Sequence, residues 1–182
     1  MIPEYNHNNV LPPFIGDVTS PYGYSPYKCD IVEFCRHFAK SPERIAILKG
    51  FVQFRLDCLA NGISGRQWID GDFVENIEES ESKDPDRVLV ISLVKIESQD
   101  EAERLLKNFP EFADPRLSVP KYKVDHYVFV INQDADTIIE QSKFWSQYFC
   151  HNRRGVWKGM LEIPLYDNDI KDQMAMSFLN TL

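Results

Sequence analysis

Apolar and polar positions switch between a helical and a strand-like period along the chain, and the switches mark its elements. Over residues 28–39, Ile31, Phe34, Cys35 and Phe38 recur on one helix face and predict a short helix. A longer helix starts at Ser41, an N-cap followed by Pro42 at the first helical position and Glu43 at the positive end of the dipole. Ile45, Leu48, Val52 and Leu59, joined by Phe51, Leu56 and Cys58, form its apolar stripe, and Asn61-Gly62 stops it. Gln67-Trp68-Ile69 reads as a short strand ending at Asp70-Gly71-Asp72. Val88 to Val94 is apolar nearly throughout, as a central strand is when both of its faces are covered. Ser98-Gln99-Asp100-Glu101 is a capping box for a helix running to about Asn108. Prolines break residues 110–120, which read as a loop. Val124 to Ile131 is a second strong strand. Asp134 or Asp136 caps a helix carrying Ile138, Ile139, Trp145 and Phe149. A basic loop from His151 to Gly159 leads to a last strand, Met160 to Leu165, and the tail from Tyr166 reads as a short helix.

The order of these elements predicts a mixed α/β (α+β) domain without internal repeats. Residues 28–182 make one domain. Residues 1–27 are rich in Pro, Asn, Gly and Tyr, and Pro12-Pro13 and Pro21-Tyr22-Gly23 interrupt any regular pattern. They read as an extended N-terminal arm, with Phe14 and the tyrosines laid on the body of the domain.

Composition narrows the function. A hydrophobic fraction of 43% with 13% aromatics supplies a proper core, which excludes a disordered chain. The formal charge of −8 argues against non-specific DNA binding, which needs a broad basic surface. Cys29, Cys35, Cys58 and Cys150 contain no Cys-x-x-Cys pair, so a zinc ribbon or thioredoxin-like site is not expected. The start Met-Ile-Pro-Glu has no basic leader, and no apolar run approaches a membrane span. A cytoplasmic location, without membrane attachment, is the expectation.

The one concentrated basic stretch is His151-Asn152-Arg153-Arg154-Gly155-Val156-Trp157-Lys158. Arg153, Arg154 and Lys158 beside Trp157 suit a phosphate and a stacked base. The plainer reading puts Trp157 in the core and the charges in water. The acidic stretch from Glu75 to Asp86 lacks the order of an EF-hand loop and reads as a solvated face or a surface for a basic partner. His7, His37, His126 and His151 show no zinc-protease spacing.

A family resemblance enters through several short motifs in order. Val10-Leu11-Pro12-Pro13, Ser25-Pro26-Tyr27, Ser41-Pro42-Glu43-Arg44 and Trp157-Lys158-Gly159 are similar to those of an uncharacterised bacterial group, a domain of unknown function of nucleotidyltransferase-like type. Trp145, Phe149, His151 and Arg153 follow the same pattern, and the likeness runs from about residue 2 to 165. The resemblance implies a polymerase-beta-type minimal nucleotidyltransferase fold, a mixed sheet flanked by helices. Trp68 to Glu75 looks like the family's turn, Val88 to Val94 like the strand after it, and Val124 to Val128 like the strand of the third carboxylate.

Nucleotidyl transfer needs a magnesium-type ion held by carboxylates. Two aspartates two apart on a strand face the same way, which is why the family's Asp-x-Asp works. Here Arg87 and Leu89 fall on those positions, and Asp72 replaces the small residue of the turn. Leucine has no lone pair to give, and arginine puts a positive charge where the metal would sit. Asp125 survives, and Arg87 is expected to pair with it. The resemblance therefore implies a degenerate active site and a pseudoenzyme with no metal or other cofactor. Such a protein would act by binding a nucleotide, an RNA or a protein partner, in the manner of fold relatives in toxin–antitoxin and phage-defence modules. The alternative is an active transferase with Mg2+ on a remapped set, Asp70, Asp72 and Asp125.

Overall fold

A computed structural model describes residues 1–20, 22–166 and 168–182. Pro21, one of the turn signals of the arm, lies outside the described residues, as does Asp167. The fold is mixed α+β, built on a sheet of strands β1 (Tyr27–Lys28), β2 (Gly65–Asp70), β3 (Val88–Val94), β4 (Val124–Val130) and β5 (Leu161–Leu165). Their order is β1-β5-β2-β3-β4. The β2–β3 and β2–β5 pairs are antiparallel, while β3–β4 and β1–β5 are parallel.

Period-two alternation sends the two sides of each strand into two separate cores. Ile69, Val88, Val90, Val124, Leu161 and Ile163 face the larger one. It is covered by α1 (Ile31–Phe38), α2 (Pro42–Ala60), α4 (Gln99–Asn108), α5 (Pro115–Tyr122) and α7 (Ile170–Leu179). Ile91, Leu93 and Phe129 face the other way, against α6 (Ala135–Phe149). A short α3 (Ile77–Glu81) lies between β2 and β3. Strand β3 is covered on both sides, and that double burial is the reason for its apolar run.

Helix boundaries follow their caps. The side chains of Asp30, Ser41, Ser98, Asp114 and Asp134 each accept a backbone N–H in the first turn of the helix that follows. The reading of residues 110–120 as a loop is corrected. Pro110–Phe112 forms a 3-10 turn, and α5 starts on Pro115, whose missing N–H is an orphan at that position anyway. Pro120 lies inside α5 and leaves the Arg116 carbonyl without its usual donor, but Arg116 is exposed and water can serve it.

The first residues lie on the domain. Ile2, Val10 and Leu11 are buried, Gly159 N–H donates to the Leu11 carbonyl at 2.8 Å, and Tyr27 Oη donates to the Pro12 carbonyl at 2.7 Å. A buried polar chain crosses the larger core. Arg55 Nε donates to Asp172 at 2.5 Å and Arg55 Nη1 to Gln67 at 2.7 Å. Gln67 Nε2 donates to Ser92 Oγ at 3.0 Å, and Ser92 Oγ lies 2.8 Å from His126 Nε2. Burial holds the His126 imidazole down to a pKa of about 3, so the ring stays neutral.

Candidate functional site

The sheet brings three of the positions singled out in the sequence into one row. Asp70 is paired with Leu89 across β2–β3, and Leu89 with Asp125 across β3–β4. All three lie on the α6 side of the sheet, at the end where β2 turns into Gly71. Arg87 stands two residues before Leu89 and faces the same way. The row lines a cleft of about 450 Å³, together with Asp72, Tyr148, His151 and Arg153. Gly71 is held at φ 83°, and a Cβ there would come within 3.1 Å of the Leu89 Cβ, so a glycine is needed where the turn passes over β3.

The cleft's carboxylates already have cations, and these belong to the chain. Arg87 Nε lies 3.4 Å from Asp125 and its Nη1 3.1 Å from Asp86. The pair with Asp125 is as expected from the sequence, but it is partly exposed rather than buried. It therefore contributes little stability, about 0–1 kcal/mol. Lys158 is the deeper one. Its Nζ sits 2.9 Å from Asp70, 2.5 Å from Glu75 and 3.2 Å from the Gly71 carbonyl. Lys158, Asp70 and Glu75 are each 2% exposed. Burial pushes the Asp70 carboxyl up to about 7 against the pull of Lys158. The two carboxylates raise the Lys158 ammonium above its ordinary value despite its burial.

These contacts correct two expectations. Lys158 is no part of an exposed phosphate-binding loop, because its charge is committed inside the protein. Glu75 does not belong to a solvated acidic face, because it turns inward to Lys158. The rest of the loop departs from the plainer reading, which put Trp157 in the core. Arg153 and Arg154 are exposed, and Trp157 is half-exposed with its ring 5.7 Å from that of Phe14. A bridge between His151 and Trp157 closes the loop, and Asn152 Oδ1 accepts the N–H groups of Arg154 and Val156 at 3.0 Å.

Arg44, which in the sequence stood only as part of the Ser41-Pro42-Glu43-Arg44 motif, holds the turn in place. From the first turn of α2 it donates to the Phe73 carbonyl at 2.6 Å, the Glu75 carbonyl at 2.7 Å and Glu78 Oε1 at 2.5 Å. The signal was present: Arg44 and Arg55 both fall on the apolar stripe of α2, where a charge must find buried partners.

Asp70, Asp72 and Asp125 line the same cleft, and each lies near a cation of the chain. Lys158 occupies Asp70, Asp72 lies 3.5 Å from Lys83, and Asp125 is paired with Arg87. Among the described residues no group of three His, Cys, Asp or Glu side chains is arranged to hold a metal ion.

A family model described as a family of unknown function (DUF6932) matches residues 3–164. The chain belongs to this family. The DUF6932 match takes in the arm, the Gly71 turn, the Asp70–Leu89–Asp125 row and the loop from His151 to Trp157. The lining of the cleft thus falls entirely within the DUF6932 span. No curated protein and no solved structure matches the chain. Among the described residues no helix is long and apolar enough to cross a membrane.

Proposed function

We propose that this chain is a catalytically inactive nucleotidyltransferase-like protein that acts by binding a nucleotide, RNA or protein partner at its cleft. The observation that carries the reading is Leu89, register-locked between Asp70 and Asp125. A carboxylate at that point would complete a row of three acids. A leucine leaves two acids separated by an apolar side chain, each answered by an internal cation. The antiparallel β2–β3 pair followed by the parallel β3–β4 pair supports the comparison with the minimal nucleotidyltransferase sheet. A cytoplasmic setting belongs to the proposal and is supported by four free thiols, three of them buried. A place in a toxin–antitoxin or phage-defence module rests on fold analogy.

Isothermal titration with ATP, GTP, CTP and UTP, with and without magnesium or manganese, tests the reading. The expected result is that the metal adds no binding and no pyrophosphate is released. Metal-dependent binding followed by pyrophosphate release would overturn it and reinstate Asp70, Asp72 and Asp125 as a catalytic set.

A further inference from the structure

The loop from His151 to Trp157 faces away from the row of acids as well as toward it. On its far side lies a groove of about 520 Å³ between the N-terminal arm and α6. Tyr24, Pro26 and Trp157 line it together with Lys143 and Ser146 of α6. The chain carries 28 acidic residues, yet among the described residues no Asp or Glu lines this groove. Tyr24 and Trp157 are 43% and 47% exposed. Phe14 packs under both rings, with centroids at 6.0 Å from Tyr24 and 5.7 Å from Trp157, so the two are held rather than loose.

Free cations border the groove. Arg153 and Arg154 are exposed, and no carboxylate of the described residues lies within ion-pairing distance of either. Lys143 Nζ lies 2.6 Å from Glu140, but both side chains are exposed, and such a pair exchanges readily with an incoming anion. Supported aromatic rings stack on base faces, and guanidinium groups without partners take phosphates. A duplex buries its base faces, whereas a single strand presents them.

We propose that this groove and the adjoining loop bind a short single-stranded segment of nucleic acid, with bases on Tyr24 and Trp157 and phosphates on Arg153, Arg154 and Lys143. The net charge of −8 confines the contact to this groove and loop and keeps the bound segment short. The inference shares Arg153 and Trp157 with the family resemblance, and Arg153 also borders the cleft, but it uses none of Asp70, Arg87, Leu89 and Asp125, so either can fail alone.

The test is fluorescence anisotropy with labelled single-stranded RNA and DNA decamers and the matching duplex, at low and physiological salt. Single strands bind and the duplex binds more weakly. Trp157→Ala and Tyr24→Ala each weaken binding by about tenfold. The double substitution Arg153→Ala/Arg154→Ala removes most of the binding and flattens its salt dependence. The Arg153→Ala/Arg154→Ala protein melts with the parent, because both side chains are exposed, and circular dichroism checks that the Trp157→Ala and Tyr24→Ala proteins stay folded at the assay temperature. The RNA and DNA arms decide which strand is preferred. Three outcomes overturn the proposal: no binding at low salt, equal binding of duplex and single strand, or binding lost in Arg87→Ala but retained in Trp157→Ala, which would put the strand in the cleft.

Discussion

Two carboxylates share one ammonium at Lys158, so the buried group carries an excess negative charge when Asp70 and Glu75 are both ionised. Burial lifts Asp70 from 3.8 to about 7, which means that the folded protein holds this proton more tightly than the unfolded chain does. A raised folded pKa contributes stability that is fully present below about pH 4 and is lost as the pH rises through about 7. Lys158 stays charged throughout that window, its own pKa having moved up. Asp70→Asn removes the titration and leaves Lys158 with Glu75. Melting the two proteins at about pH 5 and about pH 8 is expected to show the parent losing roughly 2–3 kcal/mol relative to the variant over that interval. A parallel pH dependence in both would mean that Asp70 is ionised throughout. Asp70, Lys158, Arg87 and Asp125 were all legible in the sequence as residues of interest. The partner of Lys158 was not, because Glu75 lies 83 residues away in a stretch whose composition reads as solvated.

At the scale of elements, the strong signals held to within a residue or two. Val88–Val94, the capped helix from Gln99 and the long helix from Pro42 lie where the pattern predicts them. Residues 110–120 did not, because proline density signals a break only where the freed carbonyl has no other partner, and at Arg116 solvent supplies one. Helix α5 also explains Gly50, which in the sequence looks like a weak point inside α2. A Cβ at Gly50 would fall 2.1 Å from the Tyr122 carbonyl oxygen, so α2 and α5 meet backbone to side at this point. Gly50→Ala gains about 1 kcal/mol of helix propensity but forces two packed elements apart, which costs about 1–3 kcal/mol. The expected balance is a net loss of about 1 kcal/mol in chemical denaturation; a stabilised variant would mean that α5 yields easily.

At the scale of the whole molecule, the last helix closes the larger core. Ala175 and Leu179 of α7 are buried in it, and Asp172 grips Arg55 through two bonds, at 2.5 and 3.2 Å, across 117 residues. Arg55 in turn holds Gln67 of β2, so α7 is tied to the sheet through the polar chain that ends at His126. Asp172→Ala leaves a guanidinium buried beside one amide and one carbonyl. It is expected to destabilise the fold by about 3–5 kcal/mol in equilibrium unfolding. A loss under about 1 kcal/mol would mean that water reaches Arg55 once the carboxylate is gone.

The sequence by itself determined the fold class, the main strands, the caps that begin the helices and the absence of an Asp-x-Asp pair from the Val88–Val94 strand, since each is a matter of spacing within a short window. Tertiary structure alone decided which charges are inside. Periodicity reports that a face is apolar, but it carries no information about which distant group will meet a lysine or an arginine placed on it. For that reason Lys158 passed from a candidate surface cation to the internal partner of Asp70 and Glu75. Tyr24, Trp157 and Lys143, with no common pattern in the chain, came to line one groove because the arm folds back against α6.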